Sequence, residues 1–385
     1  MSKSSIVIRH FKEQHYSTFF NPNTGFFARV EEPGYDEPFW SWHGPELLDI
    51  SITNWCDKGC VFCYRKSDES GQHMSLEDYE TVMQQAQQMH VFQVALGGGN
   101  PNQHPDFCEI LCLTREKYGI VPNYTTNGRG LTENVLKATQ KHCGAAAVSA
   151  YYPYEETRKA IDALISYEVK TNIHFILSSQ SIATAIDWLE SPPGFLGKIN
   201  ALVFLNWKPI GRYSSHKLLL KNSDRVEYFF RLATGKQHSF RLGFDTCTVT
   251  GIARFTNTPH ICYEGCDAGR FSMFISEDMK MYPCSFMVEA GYEGVPIVGN
   301  NMQGFWQNGK PFRRIRSKLA FGGCSGCQSA NLCLGGCPLF PEINLCPDQQ
   351  DNLQQLNISQ TILVENISVV EGAYGLKNTA SDLLS

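Results

Sequence analysis

Three cysteines, Cys56, Cys60 and Cys63, stand within eight positions in the stretch NWCDKGCVFCYRKS (54–67), spaced C-x3-C-x2-C. Thiolates are soft donors suited to zinc, copper(I) and iron–sulfur clusters. A structural zinc site is closed by four ligands, so three thiols would need a fourth from elsewhere. An iron–sulfur cluster held by three thiolates keeps one iron without a protein ligand, and that iron can take a chelating small molecule. A second set, CSGCQSANLCLGGC (324–337), is spaced C-x2-C-x5-C-x3-C. Chance produces that pattern only about 0.001 times in a chain this rich in cysteine. With Cys262, Cys266, Cys284 and Cys346 the set totals eight thiols, enough for two closed four-ligand sites. The other four cysteines, Cys108, Cys112, Cys143 and Cys247, are scattered and read as small buried hydrophobes.

The setting of these thiols narrows their chemistry. The N-terminus, MSKSSIVIRHFKEQHY, has no apolar core of the kind that directs export. No stretch reaches the roughly 18 apolar residues of a membrane span. The chain therefore reads as soluble and cytoplasmic, where clustered cysteines bind metal rather than form disulfides. A net charge of −5 and a pI near 6.1 argue against a duplex nucleic-acid partner.

The thiols must be positioned by regular elements. Residues 1–46 are aromatic and turn-rich, with NPNTG between apolar runs predicting a hairpin turn. From residue 47, strand and helix patterns alternate: LLDISIT, VFQVAL, VPNYTT, AAAVSA, VKTNIHFIL and INALVFLNW read as six strands. Ser75 followed by Asp78 opens the first intervening helix as a capping box. Six strands separated by helices predict a parallel α/β barrel or part-barrel, whose ligand loops lie at the C-terminal strand ends. NWCDKGCVFC follows the first strand, GGGNP the second and TNGRG the third, so all three open on one face. The expected division is an N-terminal hairpin and loop segment (1–46), a barrel (47–240), a cysteine-rich domain (241–350) and a tail (351–385).

Region 48–240 resembles the radical S-adenosylmethionine (SAM) superfamily, whose signature is C-x3-C-x-aromatic-C after the first strand of a partial (β/α)6 barrel of the TIM type. The resemblance implies that Cys56, Cys60 and Cys63 hold a [4Fe–4S] cluster, with Phe62 and Tyr64 beside it. SAM would chelate the remaining iron through its amino and carboxylate groups. One electron would then cleave it to methionine and a 5′-deoxyadenosyl radical that abstracts hydrogen from a substrate carbon. GGGNP stands where the family has a Gly-Gly-Glu-Pro-like turn, so Gly97, Gly98 and Gly99 would meet the methionine ammonium, and Asn100 occupies the Glu position. Asn127 and Ser149 resemble ribose-side contacts, and Arg158 a carboxylate contact; a turn or capping role is the alternative for each.

The later cysteines resemble the SPASM extension of the same superfamily. That resemblance implies two auxiliary [4Fe–4S] clusters, making three in all. One would use Cys262, Cys266, Cys284 and Cys337, and the other Cys324, Cys327, Cys333 and Cys346. The short C-x3-C spacing of Cys262 and Cys266 leaves Cys247 as an alternative to Cys262. Met279 stands where the extension has a glycine, and Ser285 follows Cys284 where sulfatase-maturing relatives have an aspartate. Two structural zinc sites are the other reading of this domain.

The resemblance further implies action on a ribosomally made precursor peptide, with crosslinking, epimerisation or backbone excision as outcomes. Only 46 residues precede the barrel, so leader recognition falls to a separate protein or to the N-terminal segment, which otherwise reads as a lid. Flavodoxin or ferredoxin is the implied electron donor. The alternatives are a sulfatase-type protein maturase, a small-molecule radical enzyme, or an iron–sulfur electron carrier. No residue is singled out as substrate base or hydrogen donor.

Overall fold

The computed structural model describes residues 6–259, 263–320, 324 and 327–346. Cys262 and the segment 351–385 lie outside the described residues.

Three N-terminal strands, β1 (Val7–Phe11), β2 (Tyr16–Phe20) and β3 (Phe27–Glu31), form an antiparallel sheet in sequence order. The turn between β2 and β3 is closed by Asn21, whose side-chain oxygen accepts from the amides of Asn23 and Thr24. The apolar side of this sheet packs on the barrel: Phe20 and Phe27 meet Phe92, with ring centroids 5.2 and 5.6 Å apart. Phe92 immediately precedes a barrel strand, and Lys170, which precedes another, bonds the carbonyls of Asn23 and Thr24. The small sheet therefore caps the N-terminal strand ends, opposite the face that carries the cysteine loop.

The barrel strands run in order: β4 (Leu47–Thr53), β5 (Gln93–Gly98), β6 (Val121–Thr126), β7 (Ala145–Ser149), β8 (Thr171–Leu177), β9 (Ala201–Asn206) and β10 (Arg241–Phe244). Each is parallel to its neighbour. The series has seven strands rather than the expected six. RLGF, the seventh, is four residues long and holds no run of buried positions, so its sequence carries no period to detect. Intervening helices α1 (Leu76–Gln88), α2 (Phe107–Cys112), α3 (Glu133–His142), α4 (Glu155–Ser166), α5 (Ile182–Glu190) and α6 (Asp224–Gly235) cover the outside. Ser75, Thr132 and Ser223 cap three of them by accepting amide hydrogens from the first turn.

Buried Ile50, Leu96, Ile173, Phe175 and Phe204 fill the space between sheet and helices. Each contributes about 1.5–3 kcal/mol over an exposed position. The alternate strand positions, half-buried along β8, face the lumen.

The sheet does not stop at the barrel. β11 (Ser272–Ile275) pairs parallel with β4 on the free edge, and β12 (Lys280–Tyr282) and β13 (Val295–Pro296) continue it antiparallel. Ten strands thus share one sheet, and the C-terminal region is built onto the first barrel strand. Among the described residues, no helix is long and apolar enough to cross a membrane.

Candidate functional site

β4 ends at Thr53, and the chain then forms the cysteine loop before returning to α1. The loop folds back on itself: the Cys56 amide donates to the Asp68 carbonyl at 3.0 Å, and the Cys63 amide to the Cys60 carbonyl at 3.2 Å. Arg212, after β9, clamps its outer side, donating to the carbonyls of Cys60 (2.8 Å), Lys66 (3.1 Å) and Ser67 (2.8 Å). Gly211 has φ +89, and a Cβ there would overlap the Cys63 carbonyl and the Tyr64 Cα, so the β9 loop presses directly on the cysteine loop.

The three thiols interact with one another. Burial pushes the Cys60 thiol up; Lys58 opposes this, while Cys56 and Cys63 reinforce it. Tyr151 closes the far side: burial raises its phenol, and Cys60, Cys63 and Cys56 add to the effect. Its ring stacks on Phe62 at 5.9 Å. Tyr64 points the other way, onto Phe286 of the C-terminal region at 4.7 Å, and burial pushes its phenol up to about 12. A cleft of about 450 Å³ opens beside Cys56, Lys58 and Gly59.

The glycine turn forms the adjacent lip. The amides of Gly99 and Asn100 donate to the carbonyls of Thr53 (2.7 Å) and Trp55 (3.1 Å), tying the second loop to the first. Gly98 has φ +115, and a Cβ there would overlap the Thr53 carbonyl; at Gly99 it would overlap that of Trp55. A Cβ at Gly97 meets nothing within 4 Å, so this residue borders free space at the mouth.

Asn100 is fully buried, and its side chain is consumed by the protein. It donates to Gln103 Oε1 (2.8 Å) and the Arg129 carbonyl (3.0 Å), and accepts from Thr126 Oγ1 and the Asn127 amide (both 3.1 Å). It therefore knots the second and third loops. Asn127 reaches the thiols themselves, donating from Nδ2 to Cys56 Sγ at 3.5 Å. Ser149 ends β7, bonding the Tyr151 phenol through its side chain and accepting from Thr157 at its carbonyl. Arg158 is not brought to this group. It lines a different cleft with Tyr154, Trp188 and Phe195, on the α4–α5 side. The arginine that faces the cysteine loop from α4's end of the barrel is Arg129, bonded to the Asp57 carbonyl and to Glu156.

Arg212 belongs to no motif in the sequence, while Arg129 in TNGRG and Arg65 in the cysteine stretch have partners that no local pattern marks. The buried Arg65 guanidinium pairs with Glu277 at 2.7 Å, and Glu277 also accepts from Ser51 of β4. This links the cysteine loop to the turn after β11.

The later thiols form two neighbourhoods. Cys266 and Cys284 lie within electrostatic reach of each other, and burial raises both, Cys284 to about 12. Cys337 lies with Cys247 in one small apolar cluster. Cys333 feels Cys346 and Cys324, while burial pushes it up to about 12. Backbone amides point at several sulfurs: Ala268 at Cys266, Phe286 at Cys284, Gly336 and Gly335 at Cys333, and Phe340 at Cys337 (3.4 Å). Such N–H···S bonds favour the thiolate that ligation needs. Among the described residues no three His, Cys, Asp or Glu side chains converge on one point as a single ion requires. The three thiols of the 56–63 loop, with the glycine lip beside them, fit an iron–sulfur cluster that keeps one iron for a chelating ligand, and the later thiols with amides aimed at them fit closed sites.

Residues 50–180 match the radical SAM superfamily model. The chain is 23% identical over 333 residues to a mycofactocin maturase, MftC, of Mycobacterium tuberculosis, an alignment spanning 76% of this chain and 78% of that protein. Its fold is similar to that of Streptococcus suis SuiB bound to S-adenosylmethionine, with a TM-score of 0.68, 16% identity, and coverage of 91% of this chain and 99% of that one. A second similar fold is that of anSMEcpe with bound AdoMet and a peptide, with a TM-score of 0.53, 18% identity, and coverage of 76% of this chain and 88% of that one. Motif, strand-end geometry and family match converge on the same loop, which lies within the residues, 50–180, that match the radical SAM superfamily model.

Proposed function

We propose that this protein is a radical SAM enzyme that abstracts hydrogen from a ribosomally made precursor peptide and so modifies it. The observation that carries the reading is the three-thiol loop at the barrel mouth, walled by the glycine lip and Tyr151. Cys56, Cys60 and Cys63 would hold a [4Fe–4S] cluster, and the backbone of Gly97–Gly99 would border bound SAM. When bound, these groups supply a one-electron reductive cleavage that yields a 5′-deoxyadenosyl radical.

The chain's own residues do the positioning. Arg212 and Asp68 fix the loop, Asn127 donates to Cys56, Asn100 locks the two neighbouring loops, and Tyr151 stacked on Phe62 walls one side. Peptide as substrate is supported by the likeness to a mycofactocin maturase and to SuiB, which has been solved bound to its precursor peptide SuiA. The spacing of the later cysteines, with backbone amides aimed at Cys266, Cys284, Cys333 and Cys337, supports two auxiliary clusters in a SPASM-type domain. An electron donor of the flavodoxin or ferredoxin kind, and a separate leader-recognition protein, complete the reading. The N-terminal sheet lies at the opposite end of the barrel from the Cys56–Cys63 loop, although its Arg29 pairs with Glu264 near Cys266, and this placement favours a separate recognition protein over docking on that sheet.

The test is anaerobic incubation with SAM, dithionite and a short peptide encoded beside this gene. The expected result is 5′-deoxyadenosine together with a mass change in the peptide. A fully iron-loaded sample that yields 5′-deoxyadenosine but never alters such a peptide would redirect the reading to another substrate class.

A further inference from the structure

We propose that Cys247, and not Cys262, is the fourth thiol of the auxiliary site that contains Cys266, Cys284 and Cys337. This rests on the auxiliary-cluster reading above. Cys247 comes directly after β10, in a tight turn (Thr246–Thr248) that begins at Asp245. The turn is held from several sides. The Thr248 hydroxyl donates to the Asp245 carbonyl at 2.7 Å, the Asn206 amide nitrogen donates to the Cys247 carbonyl at 3.1 Å, and Lys208 pairs with Asp245 at 2.9 Å. The same Asn206 reaches the Ile343 carbonyl, and Thr250 accepts from the Leu345 amide at 3.0 Å. These bonds lock the Cys247 turn against the strand of chain that follows Cys337.

The thiols meet as a consequence. Cys247 and Cys337 pack in one apolar pocket with Trp207, Leu218 and Phe340. Cys247 is also within electrostatic reach of Cys266 and Cys284. The Thr246 hydroxyl contacts Asp267, the residue after Cys266, at 3.4 Å. Leu339 packs against the pockets holding Cys337, Cys266 and Cys284, so one small core joins all of them. Four thiols from four separate segments are thereby gathered among the described residues, enough to complete a four-ligand site. A lone core cysteine would need none of this: it would sit in a uniformly apolar pocket, without three thiol neighbours and an ammonium group beside it.

The experiment compares wild type, Cys247→Ala and Cys262→Ala, each reconstituted with iron and sulfide under anaerobic conditions. The readouts are iron and acid-labile sulfide per chain and the electron paramagnetic resonance spectrum after dithionite reduction, neither of which depends on turnover. Three clusters correspond to about twelve irons. The expected result is about twelve irons in wild type and in Cys262→Ala, and about eight in Cys247→Ala with one auxiliary signal lost. Loss of about four irons from Cys262→Ala would overturn the assignment, whether or not Cys247→Ala folds. Wild type with only about four irons would overturn the auxiliary-cluster reading itself, and this assignment with it.

Discussion

Replacing Asn100 with aspartate tests whether this residue is a structural knot or a ligand contact. The family pattern has an acid at this place, so Asn100→Asp looks like a restoration. The structure predicts damage. Asn100 Nδ2 donates to two oxygens, Gln103 Oε1 at 2.8 Å and the Arg129 carbonyl at 3.0 Å, and the residue is fully buried. A carboxylate keeps the two accepted bonds but loses both donated ones, and it sets an anionic oxygen against two acceptors. Each lost bond costs about 1 kcal/mol net, and a stranded buried acceptor costs about 1–3 kcal/mol. The expected loss is about 3–5 kcal/mol, a large part of the 5–15 kcal/mol typical of a whole domain.

The sign with pH follows. Burial raises the new carboxyl's pKa in the folded state, so the native state keeps a proton that the unfolded chain releases, and stability falls as pH rises. Anaerobic urea denaturation of the loaded protein at pH 6 and pH 8 measures this, with the larger loss expected at pH 8. A variant as stable as wild type, binding SAM more tightly, would refute the reasoning and make position 100 a charge contact to the ligand.

Cys63→Ala should abolish 5′-deoxyadenosine formation and leave about eight irons per chain, by chromatography and iron analysis. Gly98→Ala forces a side chain into the Thr53 carbonyl at φ +115; the strain costs about 1–3 kcal/mol, and calorimetry should show weakened SAM binding. Lys208→Met leaves half-buried Asp245 with only the Asn206 amide for a partner and should cost about 3 kcal/mol in denaturation, most of it recovered in the Lys208→Met/Asp245→Asn double variant. Asp49 is pushed up to about 7 from 3.8, chiefly by burial and then by Asp267. Its raised folded value means that its own contribution to stability is fullest below about pH 4 and is lost as pH rises to about 7, so Asp49→Asn should remove that part of the pH dependence of the denaturation midpoint.

The barrel and the thiol loop were legible in the sequence because both are local. Strand periodicity lies within seven residues, and C-x3-C-x2-C lies within eight. The three strand-end loops do meet on one face, as their order implied. What the sequence hid depends on chain segments far apart. Arg212 clamps a loop about 150 positions earlier, and Glu277 holds Arg65 across the sheet that β11 extends. Cys247 read either as a core cysteine or as an alternative to Cys262, because its neighbours come from three other segments. Arg158 resembled a carboxylate contact by position after β7, but the start of α4 turns it toward Trp188 instead.

The central claim is tested most directly by hydrogen transfer. A precursor peptide deuterated at its side chains and Cα positions is incubated with the loaded protein, SAM and dithionite, and the 5′-deoxyadenosine is analysed by mass spectrometry. The account predicts one deuterium carried from peptide to 5′-deoxyadenosine, with the peptide product formed in step; 5′-deoxyadenosine free of deuterium from every labelled position would contradict it.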